Sequence, residues 1–306
     1  MIALLRRMVE GWYRFWFALP DVRPLELVRI GVGLSLFFIY FFEAGHLDEL
    51  YTEDGWVPLS GLDKLRENPA FFSVFYRITD LGQVTAIWAL MLVLCLAFTV
   101  GFQTSWIKWI VWILHISFQN RAPEVSYGVD SITSNLFIIL CVTPVGRTWS
   151  VDAWLRRHRT PRIDWLPALQ HARASVGLRL VQIQMVIVFF FAGTQKLQGA
   201  DWWDGDAIWY AMTDFEFSVL PLAPFAEHMW LVNLLTYGSI LVELGYAFLV
   251  WDRKTRPFFV VAAIVLHVGV AISLGLVLFA IPMIAGHLAF APSAWLDRVR
   301  LLRTTR

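Results

Sequence analysis

Five ionisable side chains stand inside or at the edges of long apolar stretches of this chain: Arg29, His115, Lys196, Glu243 and His267. A charged group turned toward lipid costs at least a few kcal/mol, so such residues face a protein interior or reach an aqueous edge. Lys196 lies in FFFAGTQKLQGADWWDG, where Gly193 permits close approach of another helix and Asp201 and Asp204 follow. Two readings of it are open. A lysine one turn from a membrane boundary can snorkel to water, or a desolvated amine can serve as a base. His267, in VLHVGVAISLG, either carries a proton or hydrogen-bonds a neighbouring helix. Glu243, in TYGSILVELGYAFL, has no charged neighbour on its own stretch. It either stays protonated or pairs across the bundle, with Arg29 or a histidine in view, and a structural hydrogen bond is the role expected of it.

A second concentration of polar groups is FQNRAPEVSYGVDS, with Asn120, Arg121, Glu124, Tyr127 and Asp130. It lines a cavity mouth or is a solvated turn. No metal is expected, because no HExxH or comparable ligand pair occurs at helical spacing. Nucleotide binding lacks a Walker or GxGxxG arrangement. Cys95 and Cys141 are both inside apolar runs, so buried thiols are expected, not a disulfide framework.

The elements that must position these residues are membrane helices. Of 306 residues, 58% are apolar and 16% charged, more hydrophobic surface than one soluble core needs to bury. A span takes roughly 20 apolar residues. Apolar runs bounded by charge, Pro or Gly place spans at about 25–42, 83–101, 105–118, 131–144, 178–197, 230–250, 258–273 and 276–291. The expected fold is therefore all-α, a polytopic transmembrane bundle of about eight spans. Residues 1–22 form an amphipathic interfacial helix ahead of it, with Arg7, Glu10 and Arg14 on one face and Leu5, Met8, Trp12, Phe15, Trp16 and Leu19 on the other. Pro20 and Pro24 separate this helix from the first span, and no cleavable signal peptide is expected. The bundle proper occupies 23–292, and a basic tail occupies 293–306.

Loop charge orients the bundle. Arg6, Arg7, Arg14 and Arg23, the arginines of 145–177 (147, 156, 157, 159, 162 and 173), Arg253, Lys254 and Arg256, and the tail arginines all fall on one side. The loops 43–82 and 198–229 are acidic, and the second has no Lys or Arg. The positive-inside rule then puts both termini in the cytoplasm, in keeping with a bacterial cell membrane. A net charge of +1, with basic residues in short clusters, offers nothing to nucleic acid. Membrane lipid is the expected surrounding partner.

Four segments, in order, resemble the horizontally transferred transmembrane (HTTM) family, whose members include the vitamin K-dependent γ-carboxylases. They are LVRIGVGLSLFF with LYTEDGWVPLS, FQNRAPEVSYGVDSITSNLFIILCVTPVGRTWSVDAWL, FFFAGTQKLQGADWWDG, and LTYGSILVELGYAFLVWDRKTRPFFVVAAIVLHVGVAISLGLVLFAIPM. The resemblance implies a helical bundle in which a lysine deprotonates a reduced quinone, whose reaction with oxygen yields a base that removes a glutamate γ-proton before carbon dioxide adds. Lys196 matches the catalytic lysine in its AGxxKL setting, and His267 matches a histidine following a long apolar helix. Asn120 or Arg121 would orient an oxyanion or carboxylate, and Asp201 and Trp202 would meet substrate. The chain departs from the carboxylases at Gln119–Pro123, where they carry a histidine, and in ending soon after its last span without their extramembrane domain.

Two functions are therefore expected to compete. One is a reduced-quinone-dependent lyase-type modification of an exported peptide at the outer membrane face, with Lys196 and His267 catalytic. The other is a non-catalytic membrane factor for export, maturation or immunity of a secreted peptide, docking a partner protein on the acidic outer loops. A transporter has no paired interrupted helices to support it.

Overall fold

The computed structural model describes residues 2–19, 21–68, 71–159, 168–217 and 219–298. Among them every regular element is helical, in agreement with the all-α expectation. The principal helices are α1 (Ile2–Phe17), α2 (Pro24–Phe42), α3 (Leu81–Val100), α4 (Thr104–Arg121), α5 (Gly128–Val142), α6 (Val151–Arg159), α7 (Ala168–Lys196), α8 (Met229–Leu249), α9 (Arg256–Leu274) and α10 (Val277–His287). Pro20, the 160–167 stretch with Arg162, and positions 299–306 of the basic tail lie outside the described residues.

Five helices are long and apolar enough to cross a membrane: α2, α3, α7, α8 and α9. The other three expected spans form helices at their expected positions but are shorter or more polar. The 15 residues of α5 and the 11 of α10 rise only about 1.5 Å each, well short of a hydrocarbon core of about 30 Å. The 18 residues of α4 carry Lys108, His115 and Arg121, all buried. Helix α7 begins ten residues ahead of the apolar run at 178. Its first part, ALQHARASVG, is more polar, but its three alanines with a leucine, a glutamine and an arginine favour helix, and it carries no proline.

The chain divides into two compact units, residues 1–177 and Leu178–Arg300. In the first, α2 packs on α3 and α5, and α4 packs on α3 and α5. Arg29 and Glu26, near the start of α2, tie it to the end of α3 and to the 146–149 loop. The Arg29 guanidinium donates to Glu26 at 2.7 Å, to the carbonyls of Phe98 and Thr99 at 2.7 and 2.5 Å, and to that of Trp149 at 2.8 Å. Glu26 in turn accepts from the backbone N–H groups of Gly146, Arg147 and Thr148. In the second unit, α9 packs on both α8 and α10, and the short helix Ala207–Thr213 packs on α8.

Helix α1 has its apolar residues on the surface, including Leu4, Leu5, Met8 and Trp12. Trp12 and Trp16 stack edge to face at 5.7 Å, while Arg6 pairs with Glu10 at 3.0 Å.

Candidate functional site

Glu243 does pair across helices, and its partner is Lys196. The ammonium donates to Oε1 at 2.8 Å and Oε2 at 2.7 Å, joining α7 to α8. Arg29, by contrast, is committed to Glu26 and three carbonyls, so it is not the partner of Glu243.

Two glycines shape the pair. A Cβ at Gly193 would come within 2.8 Å of Leu244 and 3.3 Å of Glu243 Cβ, so glycine is what lets α7 approach α8 closely enough for the bond. A Cβ at Gly199 would come within 2.9 Å of Trp202. With only hydrogen there, the chain folds back and sets the indole 5.0 Å from the Lys196 nitrogen, a cation–π contact. The Lys196 side chain is 20% exposed and that of Glu243 is 8% exposed, so the pair is sheltered with the amine end reachable. An ammonium has three N–H groups. Two go to Glu243, and among the described residues the third meets no hydrogen-bond acceptor.

A second layer lies below this pair. Phe189 precedes Lys196 by seven residues on α7, which places both on one face about 10 Å apart along the axis. Tyr246 follows Glu243 by three residues on α8, again on the same face. Phe189 packs 4.6 Å from Tyr246, 5.7 Å from His267 and 4.6 Å from His287. Here Tyr246 hydrogen-bonds His287 Nδ1 at 2.9 Å, and the two histidine rings lie 5.2 Å apart. His267 donates from Nδ1 to the Ala263 carbonyl at 2.9 Å, one turn back on α9.

The site residues expected from sequence thus fall in two places. Lys196, Trp202, Asp201 and His267 belong to the second unit, with Trp202 over the lysine and Asp201 exposed on the short helix Ala200–Asp204. Asn120 and Arg121 belong to the first, where their side chains bind the loop between α2 and α3. Asn120 donates to the Phe72 carbonyl at 2.8 Å, and the buried Arg121 donates to the carbonyls of Val57 (2.8 Å) and Thr52. Tyr51 in that loop donates to Glu43 at 2.7 Å, and burial together with the Glu43 carboxylate holds its hydroxyl well above the usual phenol range. The same loop bounds a cleft of about 620 Å³ whose lining includes Asp48, Glu49, Asp54 and Asp80 and no basic side chain.

Tyr246 and His287 were not singled out by the sequence reading. Tyr246 had a signal, its spacing of three from an intramembrane carboxylate. His287 stands in IAGHLAF at the end of the last apolar run, where a histidine reads as a boundary residue. No group of three or more His, Cys, Asp or Glu among the described residues is placed to hold a metal.

Comparison with known proteins gives three results. Residues 21–295 match the HTTM domain model. An uncharacterized protein of Bacillus subtilis (strain 168), YitO, is 25% identical over 205 residues, an alignment covering 62% of this chain and 62% of that protein. No solved structure matches the chain.

Proposed function

The chain belongs to the HTTM domain family and is an integral membrane protein, and from that premise we propose that it is a γ-carboxylase-like enzyme acting on an exported peptide, with Lys196 as the base toward a reduced quinone. The Lys196–Glu243 pair carries this reading. A lysine that merely snorkels to water needs no carboxylate, no glycine-cleared approach and no indole over its nitrogen, and Lys196 has all three.

The residues present fit a reduced quinone. The Trp202 indole offers a flat apolar face, and Lys196 keeps one N–H that could meet a hydroxyl oxygen of such a ring. A bound reduced quinone would supply, by its reaction with oxygen, the strong base that a glutamate γ-proton requires before carbon dioxide adds. The protein's own part is to furnish the amine. In apolar surroundings separated charges are penalised, so moving one proton from the ammonium to Glu243 gives an uncharged amine–acid pair with a lone pair on Lys196. That lone pair takes the proton of an acidic hydroxyl set beside Trp202. The positive-inside distribution of loop charge favours a Lys196 site toward the outer membrane face, where an exported substrate would be met.

The test is photocrosslinking of the purified protein with a quinone analogue, comparing wild type with Lys196→Ala and with Lys196→Arg, which keeps the charge and the ion pair. Saturable label on α7 and α9 in wild type, lost in Lys196→Ala, is the expected result. Absence of saturable label in wild type overturns it.

The acidic cleft beside α3 favours a second reading, docking of a basic partner segment by a non-catalytic export or immunity factor. In that case Lys196→Ala is silent, and Asp48→Lys with Asp54→Lys abolishes partner capture.

A further inference from the structure

His287 has no role in the reading above, yet its surroundings are specific. The side chain is fully buried, and its Nε2 has no hydrogen-bond partner. Its other nitrogen is held by the Tyr246 hydroxyl at 2.9 Å. In the neighbouring His267, 3% exposed, Nδ1 is likewise anchored, on the Ala263 carbonyl, and Nε2 meets no hydrogen-bond partner among the described residues, though it is not fully buried. The two rings stand 5.2 Å apart and tilted by 56°. Phe189 packs on both rings and Phe279 on that of His267, and neither offers a polar group.

A buried nitrogen without a partner costs about 1–3 kcal/mol, and ordered water is the usual remedy where two or more polar groups converge. We infer that one water molecule is bound between Nε2 of His287 and Nε2 of His267, completing a hydrogen-bonded chain from Tyr246 through His287 and the water to His267. The donors then run in one direction. The Tyr246 hydroxyl donates to His287 Nδ1, His287 Nε2–H donates to the water, the water donates to His267 Nε2, and His267 Nδ1–H donates to Ala263. Every ring is a neutral tautomer and every link is satisfied once.

Such a chain moves a proton without moving an atom far. Resting on the function proposed above, its role is to clear the Lys196–Glu243 pair. When Lys196 has taken a substrate proton and passed one to Glu243, the acid stands three residues before Tyr246 on the same helix face, their Cβ atoms about 5–6 Å apart. A proton arriving at the Tyr246 oxygen leaves as the tyrosine's own proton goes to His287 Nδ1. The His287 Nε2–H bond breaks as a water O–H bond forms, and a water O–H bond breaks as His267 Nε2–H forms. The net change is one proton from Glu243 to His267, with no electron transferred. His287 and Tyr246 are therefore relay residues acting through His267 and Glu243.

The water is tested without substrate, by nitrogen NMR of the full-length protein labelled with [15N]histidine in lipid nanodiscs. His287 Nε2 should be protonated and exchange magnetisation with water, and His267 Nε2 should show the shift of a hydrogen-bonded acceptor. His287→Phe should move that His267 resonance to the position of a free nitrogen, whereas His287→Gln, whose amide can still hold the water, should leave it in place. No water exchange at His287, or a His267 resonance indifferent to His287→Phe, overturns the site. The relay is tested by Tyr246→Phe, which removes one link and leaves the water. Quinol turnover should fall about tenfold or more with quinone labelling unchanged, and unchanged turnover overturns the relay. A wild type that shows the bridging water but takes no quinone label would instead count against the quinol reading alone.

Discussion

In the first unit Tyr40 meets His115 Nδ1 at 2.6 Å, and the ring's second nitrogen meets Ser134 at 2.8 Å, which donates onward to Gln119 at 3.1 Å. In the second unit Tyr246 meets His287 in the same way, but the ring's second nitrogen meets no protein group among the described residues. The acid–base pairs differ likewise. Arg29 and Glu26 are surrounded by three carbonyls and three backbone N–H groups that claim them, while among the described residues Lys196 and Glu243 have only each other and an indole face. In these two networks, groups of the same kinds are thus closed on themselves in one and left with open valences in the other, although the first unit also holds unpartnered buried atoms such as Arg121 Nε. A saturated buried network fixes a fold, and an unsaturated one has capacity for a ligand or a proton.

If that contrast is real, the largest loss of stability should come from the closed network. Arg29→Met leaves Glu26 buried without its cation and should destabilise the protein by about 3–5 kcal/mol, read as a fall in thermal unfolding temperature in detergent. Adding Glu26→Gln should recover little, because the Thr99 and Trp149 carbonyls still lack the donor that Arg29 supplied. Recovery to near wild type would mean that the network is no more than an ion pair. A smaller loss is expected at the imidazole. Ser134→Ala leaves His115 Nε2 without its partner and should cost about 1–3 kcal/mol. Gly193→Ala should cost about as much by a different route, since its methyl must displace Leu244. That variant should also slacken the Lys196–Glu243 bond, so quinone labelling should drop along with stability. Intact labelling would show that close approach at Gly193 serves packing alone.

How far these features could be read from sequence depends on how local their signals are. The helices were legible because hydrophobicity acts over contiguous residues: α2, α3, α8 and α9 begin and end within a few positions of their apolar runs. The start of α7 was not, since ALQHARASVG is polar and only helix propensity speaks for it. Lys196 and Glu243 were each visible as an anomaly in an apolar stretch. Their pairing was not, because 47 residues separate them and Arg29 was an equally plausible cation on charge alone. Asn120 and Arg121 stood out as a polar cluster, but nothing local announced that loop carbonyls at 52, 57 and 72 would take their donors. His287 was hidden by its position next to the basic end of the chain, and its open nitrogen is a property of packing that no spacing rule carries.

The sharpest form of the comparison predicts the least change. A buried ion pair whose members have few other partners gives up desolvation cost as it gains attraction, so apolar residues of similar volume commonly replace it with little net effect. Lys196→Met with Glu243→Met should therefore fold as the wild type does, within about 1 kcal/mol, since no carbonyl or N–H group is orphaned by the exchange. The single variant Lys196→Met should be worse than the double, because it leaves the Glu243 carboxyl without its donor. Unfolding of wild type, both singles and the double, in parallel with quinone labelling of each, closes a cycle. A double variant that is stable and takes no label would separate the pair's function from the fold. A double as unstable as Arg29→Met would place Lys196 and Glu243 among the groups that hold the bundle together, and the distinction between the two units would fail at its clearest point.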